Sequence, residues 1–186
     1  KSPNIEITAL GGSLLKKLNL FFLINIVKIE GFGFHGLLSK YFKFKKILKT
    51  LIIPYFLKEK PSLVILVDFY GFNIHIAKKA KSLKIPVIYY ISPQIWASRK
   101  ARLKKIKKYV DHVLCIFPFE KEFYVKENIS ATYIGHPLFN IIPQEISSKE
   151  IKNIPENNNL IGLLPGSRKH EVHALLPIML NSLKQI

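Results

Sequence analysis

Ser62-Leu63-Val64-Ile65-Leu66-Val67 is an unbroken aliphatic run, bounded by Pro61 and closed by Asp68. A run of this length and β-branched content reads as a strand buried on both faces, and such strands belong to parallel sheets. Parallel neighbours need crossovers, and the sequence supplies them. After a turn at Gly71, Asn73 is placed to cap a helix through about Lys84, with Ile76, Ala77, Ala80 and Leu83 on one stripe. Pro86 opens a strand from Val87 to Ile91, a basic helix follows from about Ala97 to Tyr109, and a strand from His112 to Phe117. A short helix from Glu120 to Lys126 and a strand from Thr132 to Gly135 complete the alternation. This order predicts an α/β fold built on a parallel sheet with right-handed crossovers.

Between Pro143 and Asn159 the aliphatic pattern gives way to Gln, Ser, Lys, Glu and three consecutive asparagines, which reads as an interdomain linker. Leu160-Ile161-Gly162-Leu163-Leu164 then predicts another buried strand, and Pro165-Gly166-Ser167-Arg168 leads to a helix beginning near Glu171. The domains expected are residues 1–142, a linker 143–158, and the start of a second α/β domain at 159–186. The opening Lys1-Ser2-Pro3-Asn4 has neither a start methionine nor a signal-peptide core, which reads as a cut edge. The apolar stretch from Leu18 to Val27 is interrupted by Asn19 and Asn25 and falls well short of the roughly 20 residues of a spanning helix.

Twenty-nine Lys and Arg against 12 Asp and Glu give a formal charge of +17, while 48% of residues are hydrophobic. That much apolar content argues against a disordered basic tail, so the charge belongs on a folded surface facing a polyanion, either nucleic acid or an anionic membrane. The single cysteine, Cys115, forms no internal disulfide, and the absence of a Cys/His cluster excludes structural zinc.

Asp68 lies at the carboxyl end of a predicted strand, where open α/β sheets build their ligand crevices. It is a candidate general base or, equally, a strand-end carboxylate that caps the next turn. Asp111 sits amid lysines and reads as an ion-pair partner. In Pro165-Gly166-Ser167-Arg168, free backbone N–H groups at a helix start and the Arg168 fork suit a phosphate, although such loops are also common turn chemistry. Trp96 and His136 follow later strands and therefore fall at the same rim as Asp68. Each has a functional reading, as a sugar or acyl platform and as an acid, base or phosphate partner, beside a structural one.

Basic residues crowd Arg99, Lys100, Arg102, Lys104, Lys105, Lys107 and Lys108, and a second patch alternates Lys43, Lys45, Lys46 and Lys49 with Tyr41, Phe42, Phe44, Ile47 and Leu48. Basic amphipathic helices suit an anionic membrane surface; a merely solvated face is the alternative. No nucleic-acid recognition signature accompanies them.

Five ordered segments, Val67-Asp68-Phe69-Tyr70-Gly71-Phe72-Asn73, Tyr90-Ile91-Ser92-Pro93-Gln94-Ile95-Trp96-Ala97, Phe117-Pro118-Phe119-Glu120-Lys121, Gly135-His136-Pro137-Leu138 and Leu163-Leu164-Pro165-Gly166-Ser167-Arg168, together resemble the lipid-A-disaccharide synthase family. These are glycosyltransferases with two Rossmann-like domains, the GT-B plan, and the resemblance covers about the middle half of a family enzyme. It implies a Rossmann-like N-terminal domain lacking its first strand and the beginning of a nucleotide-sugar domain. It also implies transfer of 2,3-diacylglucosamine from its UDP conjugate to 2,3-diacylglucosamine 1-phosphate, with inversion and release of UDP. No cofactor is expected, because the UDP-sugar is a substrate.

By motif position Asp68 resembles the family's essential aspartate, the general-base candidate, and Arg168 its essential arginine, a phosphate ligand. Asn73, Gln94, Trp96, His136, Gly166, Ser167 and Glu171 become candidate substrate contacts, with no metal site. Arg99, Arg102, Lys104, Lys105, Lys107 and Lys108 become a surface for docking on the cytoplasmic face of the bacterial inner membrane. Ser98, Asn140 and Gly36 depart from residues usual in the family. The expectation for these 186 residues alone is inactivity, with an inert remnant or a basic membrane-binding module as the alternatives.

Overall fold

The computed structural model describes residues 5–18, 20–26, 37–97, 100–142 and 161–185, without the side chains of 37–40, 97 and 100. Two compact units divide the chain, Lys1–Leu138 and Phe139–Ile186.

The first unit opens with β1 (Thr8–Gly11), a single helical turn α1 (Ser13–Lys16) and β2 (Phe21–Asn25), which pairs in parallel with β1. Helix α2 (Leu37–Ile47) runs through a wider turn at Leu48–Ile52 into α3 (Ile53–Glu59). Pro54 lacks the N–H that an α turn would use at this point, which accounts for the local widening. Then follow β3 (Val64–Val67), α4 (Tyr70–Ser82), β4 (Val87–Tyr90), α5 (Lys100–Tyr109), β5 (His112–Cys115), α6 (Pro118–Lys126) and β6 (Ala131–Tyr133). Strands β3 to β6 form a parallel sheet in sequence order, with Leu66 opposite Tyr89 and Tyr89 opposite Val113. The α/β class and the parallel pairing expected from the aliphatic runs are present, although β1 and β2 form a sheet of their own.

The core lies on one face of the four-stranded sheet. Leu66, Val87, Tyr89, Val113 and Cys115 are buried there with Phe72, Ile76, Ala77 and Ala80 of α4, Ile106 of α5 and Tyr124 of α6. Crossovers of one hand between strands in sequential order bring their helices to a single side, and this corrects the reading of β3 as buried on both faces. Ile65 and Val67 point away from that side and are 58% and 50% exposed. The aliphatic composition of β3 matched a two-sided strand, but β3 is also an edge of its sheet.

Three boundaries differ instructively. Helix α4 begins at Tyr70, so Asn73 is inside its first turn rather than its cap. Helix α6 begins at Pro118, and Glu120, third in the helix, accepts the backbone N–H groups of Ile116 and Phe117, both at 3.2 Å. Strand β5 ends at Cys115, before the Phe117 expected. In the second unit Ile161 to Leu164 form no strand, and Leu164 is 84% exposed. A run that reads as a buried strand has no sheet to join among the described residues there, and an unpaired strand loses its ladder bonds. Leu160 and the expected linker, 143–158, lie outside the described residues. Helix α7 (Lys169–Leu183) follows, two residues earlier than Glu171.

Candidate functional site

Asp68 ends β3 on strained backbone. Its φ is 46° and that of Phe69 is 40°, two successive non-glycine residues in the left-handed region. Each such residue costs about 1–3 kcal/mol and persists only where its surroundings hold it. Four hydrogen bonds do so. The Asp68 N–H donates to Tyr90 O at 3.1 Å. The Asp68 carbonyl accepts from the Tyr89 hydroxyl at 2.6 Å and from the Asn73 side-chain amide at 2.7 Å, and the same amide donates to Val67 O at 3.0 Å. Tyr89 and Asn73 are themselves buried, and burial keeps the Tyr89 phenol protonated far above its ordinary range. The turn therefore rests on two buried side chains, while the Asp68 carboxylate stays exposed at the carboxyl end of the sheet. Asn73, expected to contact substrate, gives its amide to the backbone that carries Asp68.

Tyr70 starts α4 two residues after Asp68, and the Arg102 guanidinium lies 4.6 Å from its ring centroid. Arg102, one of the cations expected to face a membrane, is half-buried, with its guanidinium over the Tyr70 ring. Ala101, Lys104, Lys105, Lys107 and Lys108 are exposed on α5, with Ile106 fully buried beneath them; Arg99 lies outside the described residues.

Farther along the same rim, three of the expected motifs meet. The Trp96 ring, 43% exposed, stands edge-on to Phe119 at 5.1 Å, Phe119 stacks on Phe117 at 5.7 Å, and Phe117 lies 5.5 Å from the His136 ring. His136 Nδ1 accepts the Leu138 N–H at 3.2 Å. Ser92 accepts the Tyr124 hydroxyl at 2.9 Å, tying the loop after β4 to α6. Gln94 is exposed. Phe117 and Phe119 carry no individual signal in the sequence; their ring partners Trp96 and His136 come from the loops after β4 and β6, which no local pattern reveals.

In the second unit Gly166, at φ 117°, leads into α7. The Glu171 carboxylate accepts the backbone N–H groups of Ser167 and Arg168 at 3.2 and 3.0 Å and pairs with the Arg168 guanidinium at 2.7 Å. The Arg168 fork and then these backbone donors hold the Glu171 carboxyl below its ordinary range. The donors expected to receive phosphate are thus taken by a carboxylate of the chain itself. Asp111 accepts from Lys81 and, at 2.9 Å, from the Val87 N–H, matching its reading as an ion-pair partner. Burial opposes its charge, but the Lys81 bond followed by the Val87 N–H outweighs it and lowers its carboxyl. Among the described residues there is no cluster of three or more metal-ligating side chains, and no helix is long and apolar enough to cross a membrane.

A family model described as lipid-A-disaccharide synthetase matches residues 1–186. Similar curated proteins include lipid-A-disaccharide synthases of Coxiella burnetii (strain Dugway 5J108-111), 40% identical over 99% of this chain and 50% of the relative, and of Sulfurihydrogenibium sp. (strain YO3AOP1), 40% identical over 95% and 47%. That of Myxococcus xanthus (strain DK1622) is 35% identical over 100% of this chain and 49% of its own length. The chain spans about half the length of the curated relatives it matches. With its parallel α/β architecture and with the match running from the first residue to the last, the chain belongs to the lipid-A-disaccharide synthetase family.

Proposed function

We propose that this chain is part of an inverting glycosyltransferase of lipid A biosynthesis, which moves 2,3-diacylglucosamine from UDP to 2,3-diacylglucosamine 1-phosphate. The observation that carries the reading is the clamped Asp68: an exposed carboxylate on strained backbone, held by the buried Asn73 and Tyr89 at the carboxyl end of a parallel sheet. Family membership supports the substrate class.

In the reaction the acceptor hydroxyl oxygen forms a bond to the donor's anomeric carbon as the bond from that carbon to the UDP oxygen breaks. The acceptor proton passes to the Asp68 carboxylate, and the electron pair of the broken bond leaves on UDP. Inversion follows from attack opposite the leaving group. A fixed base shortens the search for an in-line geometry, and a guanidinium stabilises the charge that gathers on the departing diphosphate. Arg168 supplies that fork, releasing Glu171 as it does so, with the N–H groups of Ser167 and Arg168 then open to phosphate oxygens. Trp96 and Phe119, both partly exposed, present aromatic surface to a sugar ring. No resident cofactor enters.

Acylated substrates place the reaction at the cytoplasmic face of the bacterial inner membrane. Exposed Tyr41 and Phe42 beside Lys43, Lys45 and Lys46 on α2, and the lysine face of α5, support docking on anionic lipid. These 186 residues alone are expected to be inactive, so incubation of a full-length family enzyme that contains this chain with both acylated substrates tests the reading: disaccharide 1-phosphate and UDP are expected in equal amounts, and neither forms when one substrate is omitted. UDP release without disaccharide, or with the acceptor absent, contradicts it.

A further inference from the structure

We propose that Arg102 and the Tyr70 hydroxyl form a subsite for a phosphate monoester next to Asp68. The proposal rests on the glycosyltransferase reading, which makes one substrate a sugar 1-phosphate, and it names the residues that receive that phosphate.

Two donors without acceptors lie together here. The Tyr70 hydroxyl is buried and has no hydrogen-bond partner among the described residues, although a buried phenol ordinarily finds one. Over its ring at 4.6 Å sits the Arg102 guanidinium, which makes no ion pair or hydrogen bond among the described residues. Stacking on Tyr70 fixes the plane of the guanidinium and leaves its in-plane N–H groups to recognise an anion. Both residues are tied to Asp68. Tyr70 begins α4 two residues after it, and Arg102 reaches Tyr70 from α5 across the interface between these helices.

The surroundings select a doubly charged ligand. Lys78 and His75 on α4 and Lys105 on α5 are exposed, and none has a carboxylate partner among the described residues. Burial, then Lys105, then Lys78 lower the His75 imidazole, as expected where cations gather without an anion. Burial raises the Tyr70 phenol and Arg102 opposes it, so the hydroxyl remains a donor. A phosphate monoester brings several acceptor oxygens and about two negative charges, and meets both orphaned donors; a neutral sugar hydroxyl leaves the charge of the guanidinium unmet.

Titration with glucosamine 1-phosphate, followed by the Arg Nε–Hε signals, tests the subsite, with glucosamine and inorganic phosphate as separate arms. The expected result is a saturable shift of the Arg102 signal with glucosamine 1-phosphate and none with glucosamine. Loss of one charged hydrogen-bonding partner weakens such a contact about tenfold or more, so Arg102→Gln and Tyr70→Phe each lower the affinity, whereas Lys126→Gln, an exposed charge on α6, leaves it unchanged. Vesicles containing phosphatidic acid form a further arm: a shift at Arg102 with vesicles and none with glucosamine 1-phosphate overturns the sugar phosphate as the source. Unchanged affinity in Arg102→Gln or in Tyr70→Phe overturns the subsite. If Asp68-dependent transfer persists when the same substitution is made in a full-length family enzyme that contains this chain, the transferase reading stands while the subsite falls.

Discussion

Asn73 spends its side-chain amide on the carbonyls of Val67 and Asp68, and that choice sets the stereochemistry of the residue proposed as base. Asn73→Ala leaves two carbonyls of a strained turn short of a buried donor. The expected cost is about 1–3 kcal/mol in chemical denaturation, with turnover falling while substrate affinity holds. Tyr89→Phe removes one of these bonds and is expected to cost less, about 1 kcal/mol. The sequence displayed Asp68 at a strand end and Asn73 five residues on, and both proved central to one turn. It did not display Tyr89 as their partner, because a buried tyrosine on β4 reads as core until the parallel register brings its hydroxyl to the carbonyl of the neighbouring strand's last residue. Arg102 was legible only as one more cation in a basic run; its stacking on Tyr70 depends on how two helices meet.

At the scale of elements, two helix starts use the same device. Glu120 in α6 and Glu171 in α7 each stand third in the helix and accept backbone N–H groups of the residue before it. The buried Glu120 is expected to be the costlier to lose: Glu120→Ala strands the N–H groups of Ile116 and Phe117 and lowers stability by about 1–3 kcal/mol. Glu171 reports through pH. Its folded carboxyl sits below the ordinary 4.5, so the unfolded chain takes up the proton first as pH falls. The cap's contribution is present above about pH 4.5 and disappears as pH drops through the lowered value, and Glu171→Gln abolishes that dependence of helix protection in hydrogen exchange. At Gly166, an added Cβ would stand 2.8 Å from the Glu171 carboxylate, at a φ of 117° that side chains rarely adopt. Helices and parallel strands were readable from period and punctuation. The Ile161–Leu164 run was misread because its aliphatic content is shared by strands and by extended segments, and only the presence of a neighbouring strand distinguishes them.

For the whole molecule, a charge of +17 predicts binding to vesicles of anionic lipid that weakens as salt rises, since attraction between surface charges decays over about 10 Å at 0.1 M ionic strength. Neutralising Lys104, Lys105, Lys107 and Lys108 is expected to lower vesicle affinity in cosedimentation, and salt-insensitive binding would contradict an electrostatic surface. Composition revealed the sign of the surface but not that Ile65 and Val67 are left exposed on β3 among the described residues, because crossover handedness rather than residue type decides which side the helices cover. The proposed transfer tests most directly in the steady-state kinetics of Asp68→Asn in a full-length family enzyme that contains this chain. A base acts on the proton lost in the transition state, so kcat is expected to fall about 10²–10⁴-fold with KM for either substrate nearly unchanged. A variant that retains near-normal kcat, or that loses rate only through a raised KM, would contradict Asp68 as the base.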